Sequence, residues 1–127
     1  MICVDTSALM AILLLEVEAL PCVAVIAREP EILMSAGTMA ELMIVAGQRG
    51  LSAELTRIVE GLPLTVIEVT EESARRSARA YERWGKGNHG ARLNYGDCFA
   101  YELAERYGCP LLFVGKDFSK TDVASVL

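Results

Sequence analysis

Four short strand-like runs, at residues 2–4, 31–35, 64–69 and 111–114, alternate along this chain with longer segments that carry helix start and stop signals. Strands separated by helices cannot pair as hairpins, so they are expected to lie parallel, with helices crossing over both faces of the sheet. A weaker run at 123–126 is a candidate fifth strand. The expectation is an α/β fold with a central, mainly parallel sheet of four to five strands. At 127 residues the chain has room for one core, and 1–127 is read as one domain.

The helix signals are local. Thr6 or Ser7 can cap a helix at 8–15, and Pro21 is tolerated only in the first turn of a helix at 18–28. Thr38-Met39-Ala40-Glu41 has the form of a capping box opening a helix that runs to Gln48, and residues 51–60 form the next helix. Thr70 caps a helix at 71–84. Glycines 85, 87, 90 and 96 mark a loop, followed by a helix at 97–107 that Gly108 closes as a left-handed cap.

Acids recur at the punctuation points. Asp5 and Asp117 follow strand runs, whereas Glu41 and Asp97 fall near helix starts. In open α/β sheets, ligand groups gather outside the carboxyl ends of the strands, so these four scattered carboxylates are expected to meet there. Carboxylates packed together repel and need a cation; hard oxygen ligands suit Mg²⁺ or Mn²⁺. Each acid also has a purely structural reading, since a carboxylate in a first helical turn is stabilised by the helix dipole by roughly 0.3–1 kcal/mol. Asp122, five residues past Asp117, is an auxiliary candidate, as are the hydroxyls of Thr6 and Ser7, which can orient water or phosphate.

Composition narrows the class. The apolar stretch 8–27 is broken by Glu16, Glu18 and Pro21, so no membrane span is expected, and no basic segment precedes an apolar leader. A cytoplasmic location follows. Cys3, Cys22, Cys98 and Cys109 lack C-x-x-C spacing and read as small buried hydrophobes. The only histidine is His89. The net charge of −5 argues against a polyanionic partner until the acids are neutralised, and one divalent cation offsets two of those charges. Hydrophobic residues make up 53% of the chain, which leaves apolar surface for a partner or for self-association.

The one basic stretch is Arg75, Arg76, Arg79 and Arg83, followed by Lys86 and Arg92 in the glycine-rich loop. It is either a solvated helix face with pairs such as Glu72 to Arg76, or a phosphate-contacting rim. Trp84, Tyr95 and Tyr101 offer rings for base stacking, although core packing is the commoner use of such residues.

Val4-Asp5-Thr6-Ser7-Ala8, Glu41, the segment Leu93-Asn94-Tyr95-Gly96-Asp97-Cys98-Phe99-Ala100, and Leu111-Leu112-Phe113-Val114-Gly115-Lys116-Asp117 together resemble the PIN-domain ribonucleases, and among them the VapC toxins of toxin–antitoxin pairs. The likeness runs the length of the chain. It implies a PIN-like sheet flanked by helices on both faces, and an Mg²⁺- or Mn²⁺-dependent endoribonuclease held inactive by a cognate VapB-type antitoxin. By the same likeness Asp5 and Asp97 are the principal metal ligands, Glu41 and Asp117 complete the catalytic quartet, and the protein is a homodimer. Lys116 stands where Asn or Asp is common in that group.

The competing reading is a catalytically silent PIN-like scaffold or a receiver-like module with an acidic Mg²⁺ pocket. Lys116 would supply a receiver's lysine, but no strand in the middle of the chain ends in aspartate. A P-loop enzyme is disfavoured because G-x-x-x-x-G-K-[ST] is absent.

Overall fold

Strands β1 (Ile2–Val4), β2 (Ile32–Ser35), β3 (Leu64–Ile67) and β4 (Leu111–Leu112) pair in parallel in the order β3-β2-β1-β4 in a computed structural model describing residues 1–127. The helices are α1 (Thr6–Leu13), α2 (Ala19–Arg28), α3 (Ala36–Gln48), α4 (Ser52–Glu60), α5 (Glu71–Trp84) and α6 (Tyr95–Tyr107). β1 and β2 are the inner strands, and every residue in both is buried.

Because side chains alternate across a strand, one short apolar run feeds two cores. Ile2, Val4, Ile32, Met34 and Leu112 pack with Leu9 of α1, Ile26 of α2, Leu42 of α3 and Leu55 of α4. Cys3, Leu33 and Leu111 point the other way, to Ala80 of α5, to Cys98, Tyr101 and Leu103 of α6, and to Phe118. β3 is the exception to full burial, as an edge strand whose Val66 is exposed. The cysteines are free and buried, and the thiols of Cys3 and Cys109 lie 3.2 Å apart. No helix is long and apolar enough to cross a membrane.

Three helix starts differ from the sequence reading by two or more residues, each for a local reason. α1 begins at Thr6 because Asp5 itself is the cap, its side chain accepting from the Ser7 amide. α3 begins at Ala36 under Ser35, whose hydroxyl accepts from the Gly37 amide, so Thr38 to Glu41 is not a capping box. α6 begins at Tyr95 under Asn94, with Asp97 as the third residue of a true reciprocal box. In each case a short polar side chain directly after the extended segment captures the free amides first. The fifth strand reduces to a single parallel bridge between Leu111 and Ser125, since β4 itself is only two residues long.

α6 is the most enclosed helix. All nine residues from Gly96 through Ala104 are buried, including Asp97 and Glu102. A buried charge must be paired, neutralised or used, and these two meet that demand in different ways.

Candidate active site

The cap of α1 fixes the first acid. Asp5 follows β1, and its amide still bonds the Leu112 carbonyl at 3.0 Å, so the residue is held by the sheet before the helix starts. Its Oδ2 accepts from the amide and hydroxyl of Ser7 at 3.0 and 2.7 Å. The Ser7 hydroxyl also accepts from the Val114 amide at 3.0 Å, tying the exit of β4 to the same point. Asp5 Oδ1 is buried with no partner.

Glu41 projects from the second turn of α3, where the Thr6 hydroxyl donates to it at 2.8 Å. It can come this close only because α6 presents glycine there. A Cβ on Gly96 would run into the Glu41 carboxylate, and one on Gly37 would sit 2.7 Å from the Phe99 ring. Two glycines thus let the first turns of α3 and α6 cross tightly, and that crossing sets Glu41 beside Asp97. The hydroxyls of Thr6 and Ser7 orient acids, donating to Glu41 and Asp5.

Asp97 accepts from the Asn94 amide at 2.9 Å and has Asp5, Asp117 and Glu41 nearby. Burial raises its pKa to about 7; the Asn94 hydrogen bond opposes the shift, and the nearby Asp5, Asp117 and Glu41 reinforce it. Burial also raises the pKa of Asp5, against the Ser7 hydrogen bonds and with help from Glu41. Asp117 sits exposed in the turn after β4 and lines a cleft of about 410 Å³ together with Asp97, Asn94, Arg92, Lys116 and Lys120. The four scattered acids are therefore neighbours.

They do not form a closed cage. No three His, Cys, Asp or Glu side chains converge tightly enough to enclose an ion. A loose carboxylate set is still the chemistry Mg²⁺ favours, because it retains several waters and takes one or two carboxylates plus substrate phosphate. The unpartnered Asp5 oxygen and the raised Asp97 pKa are both what a bound cation would relieve, so these residues fit the ion.

Asp122, the auxiliary candidate, is not among the residues lining this cleft. Its Oδ1 accepts from the Tyr101 hydroxyl at 2.6 Å and its Oδ2 pairs with Arg83 at 3.2 Å, bracing the C-terminal segment against α5 and α6. The arginine-rich helix is also mostly spent on structure. Arg75 pairs with Glu71, and Arg76 with both Glu72 and Glu102. Arg83 pairs with Asp122 and lies 4.5 Å from the centre of the Trp84 ring. The basic rim of the cleft comes instead from Lys86, Arg92, Lys116 and Lys120. Lys120 escaped the sequence reading because it is isolated in sequence, and only the turn after β4 swings it to the acids. His89 is held by the loop, accepting from the Ala91 amide at 2.9 Å with its ring edge-on to Trp84.

The PIN domain family pattern matches residues 2–124. A ribonuclease VapC of Mycolicibacterium smegmatis is 42% identical over 127 residues, covering 97% of this chain and 98% of that protein. Ribonuclease VapC30 of Mycobacterium tuberculosis is 39% identical over 127 residues, covering 97% and 96%. Among solved structures, Mycobacterium tuberculosis VapC20, described as a sarcin-ricin loop cleaving toxin, superposes with a TM-score of 0.81 at 18% identity over 99% and 98% of the two chains. A toxin–antitoxin complex from Klebsiella pneumoniae contains a chain with a TM-score of 0.72 at 20% identity, over 96% of this chain and 93% of that one. At those identities the structural likeness speaks for the fold.

Proposed function

The chain belongs to the PIN-domain family, and from that premise we propose that it is an Mg²⁺- or Mn²⁺-dependent endoribonuclease, the toxin half of a toxin–antitoxin pair. One observation carries the reading. Asp97 is buried against Asp5, Glu41 and Asp117, and burial with like charge holds its pKa up at about 7, a cost to ionisation that a bound cation would offset.

Asp5 and Asp97 would hold the ion, with Glu41 and Asp117 adding charge at its flanks. When bound there, such an ion would supply Lewis-acid activation of water and positive charge for the phosphodiester oxygens. The protein's own work is positional. Ser7 fixes one oxygen of Asp5 and leaves the other free to bind, while Thr6 aims Glu41 and Asn94 aims Asp97. Lys116, Lys120 and Arg92 line the same cleft and supply the positive charge that a substrate phosphate requires.

The ribonuclease and toxin names of the relatives support RNA as substrate and a VapB-type antitoxin as partner. The surface is compatible with such a partner. Leu15, Val17 and Leu20 are almost wholly exposed where α1 meets α2, as are Met43 and Ile44 to a lesser degree on α3. A cleft of about 330 Å³ between α3 and α4, lined by Met39, Met43, Leu55 and Val59, offers an apolar seat for an amphipathic segment.

The deciding experiment is incubation of labelled total RNA with purified protein in Mg²⁺, Mn²⁺ or EDTA, beside an Asp5→Asn, Asp97→Asn double variant. Discrete metal-dependent products absent from the variant are expected. No cleavage by the wild-type protein with either metal would shift the reading to a silent binding scaffold.

A further inference from the structure

A second groove, between α5 and α6, adjoins the acidic cleft and is chemically unlike it. It encloses about 510 Å³, is walled mainly by Ala74, Ala78, Tyr81 and Phe99, and has three features that point to an occupant. First, Lys86 and Asn94 line both the groove and the acidic cleft, so the two are continuous. Second, Tyr95 is 77% exposed at the groove although it stands two residues before Asp97, and its ring meets Phe99 edge-on with centroids 5.0 Å apart. Third, Ser77 is 7% exposed, and its hydroxyl is buried along this otherwise apolar wall with no hydrogen-bond partner.

We propose that this groove is a nucleobase subsite, which holds one unstacked base of single-stranded RNA while the adjoining phosphate lies in the acidic cleft. The proposal rests on the ribonuclease reading above and adds where the enzyme discriminates between bases. A base has two apolar faces and a polar edge. The faces suit Tyr95 and the alanine-lined wall of α5, and the edge offers Ser77 the partner it lacks. An apolar helix from a protein partner would cover the alanines and tyrosines but leave the Ser77 hydroxyl unpaired, at a cost that natural interfaces avoid. Continuity with the cleft through Lys86 and Asn94 also favours a ligand that extends from a phosphate.

The experiment measures binding, so that it is independent of cleavage. Fluorescein-labelled RNA hexamers of A, C or U, and a G-containing hexamer, are titrated with the full chain carrying Asp5→Asn in the presence of Mg²⁺, with anisotropy as the readout. On that background Tyr95→Ala is expected to weaken binding about tenfold and Tyr95→Trp to restore it, as for loss and recovery of one stacked base. Ser77→Ala is expected to flatten the preference among the hexamers. Both positions tolerate these changes sterically, and circular dichroism checks the fold.

Unchanged affinity and base preference in Tyr95→Ala and Ser77→Ala, or no hexamer binding by the parent, overturns the proposal. So does sedimentation showing that the substitutions dissociate a dimer without affecting RNA, because a second copy would then cover the groove. If the wild-type protein fails to cleave RNA while hexamer binding still depends on Tyr95 and Ser77, the groove assignment stands and the nuclease reading alone falls.

Discussion

Asp97 and Glu102 are buried carboxylates on one helix, five residues apart, and they are treated in opposite ways. Glu102 receives Arg76 Nε at 2.7 Å and Arg106 Nε at 3.0 Å, so its charge is compensated within the fold. Asp97 receives one backbone amide and faces three further acids. Burial alone therefore does not mark a functional acid. What sets Asp97 apart as a candidate is burial without compensation, since the folded chain then carries a cost that a bound cation would remove.

The largest expected effect is on catalysis. Asp97→Asn keeps the cap, because the amide oxygen still accepts from the Asn94 N–H, yet RNA cleavage in Mg²⁺ should fall on the order of a hundredfold or more, as for loss of one group that stabilises transition-state charge. Gel-based initial rates check this. The same substitution should raise the melting temperature of the metal-free protein at pH 8, the reverse of what a structural carboxylate would do.

Glu102→Ala tests the other side. It strands Arg76 and Arg106 and should lower stability by about 2 kcal/mol, in the range of hydrogen bonds to charged groups, as read from the urea midpoint. Cleavage per folded molecule should be retained. If Glu102→Ala abolishes cleavage in fully folded protein, the contrast between the two carboxylates collapses.

A pH series sharpens the comparison further. The Asp97 pKa is raised from 3.8 to about 7, so between those values the folded state binds more protons than the unfolded chain. Its contribution to stability is complete at acid pH and lost as pH rises through about 7. Thermal melts of the metal-free protein from pH 5.5 to 8 should show this decline. It should shrink in Asp97→Asn and in saturating Mg²⁺, and persist in Glu102→Ala.

The smallest expected effect is steric. Gly96→Ala would drive the Glu41 carboxylate away from α6 and should cost about tenfold in cleavage, roughly 1.4 kcal/mol, with little change in melting temperature. An unaltered rate would mean that the α3–α6 contact does not set the geometry of the acids.

Much of this arrangement is legible in the chain, and the illegible parts share a cause. Periodicity and caps give the strand–helix alternation, and α5 (Glu71–Trp84) and the left-handed Gly108 cap lie where the sequence puts them. The convergence of Asp5 and Asp117 follows from their positions after β1 and β4, whereas Glu41 and Asp97 join them through the crossing of the first turns of α3 and α6. Asp122 is indistinguishable from Asp117 by spacing, and only the path after β4 sends it to Tyr101 and Arg83. The α5 arginines read as a phosphate rim or a solvated face, and the choice depends on the α6 carboxylate and the C-terminal acid packed beside them.

The sequence by itself determined the fold class and the parallel sheet and singled out the four acids as candidates, because hydrophobic period, capping residues and the ends of strands and helices are properties of neighbours along the chain. The tertiary structure alone decided which acids are compensated, why Gly96 and Gly37 are glycines, and that Lys116 and Lys120 rather than the α5 arginines rim the cleft. Those outcomes depend on charges and atoms brought within a few ångströms across dozens of residues, and electrostatic and steric forces act over that distance in space whatever the separation in sequence.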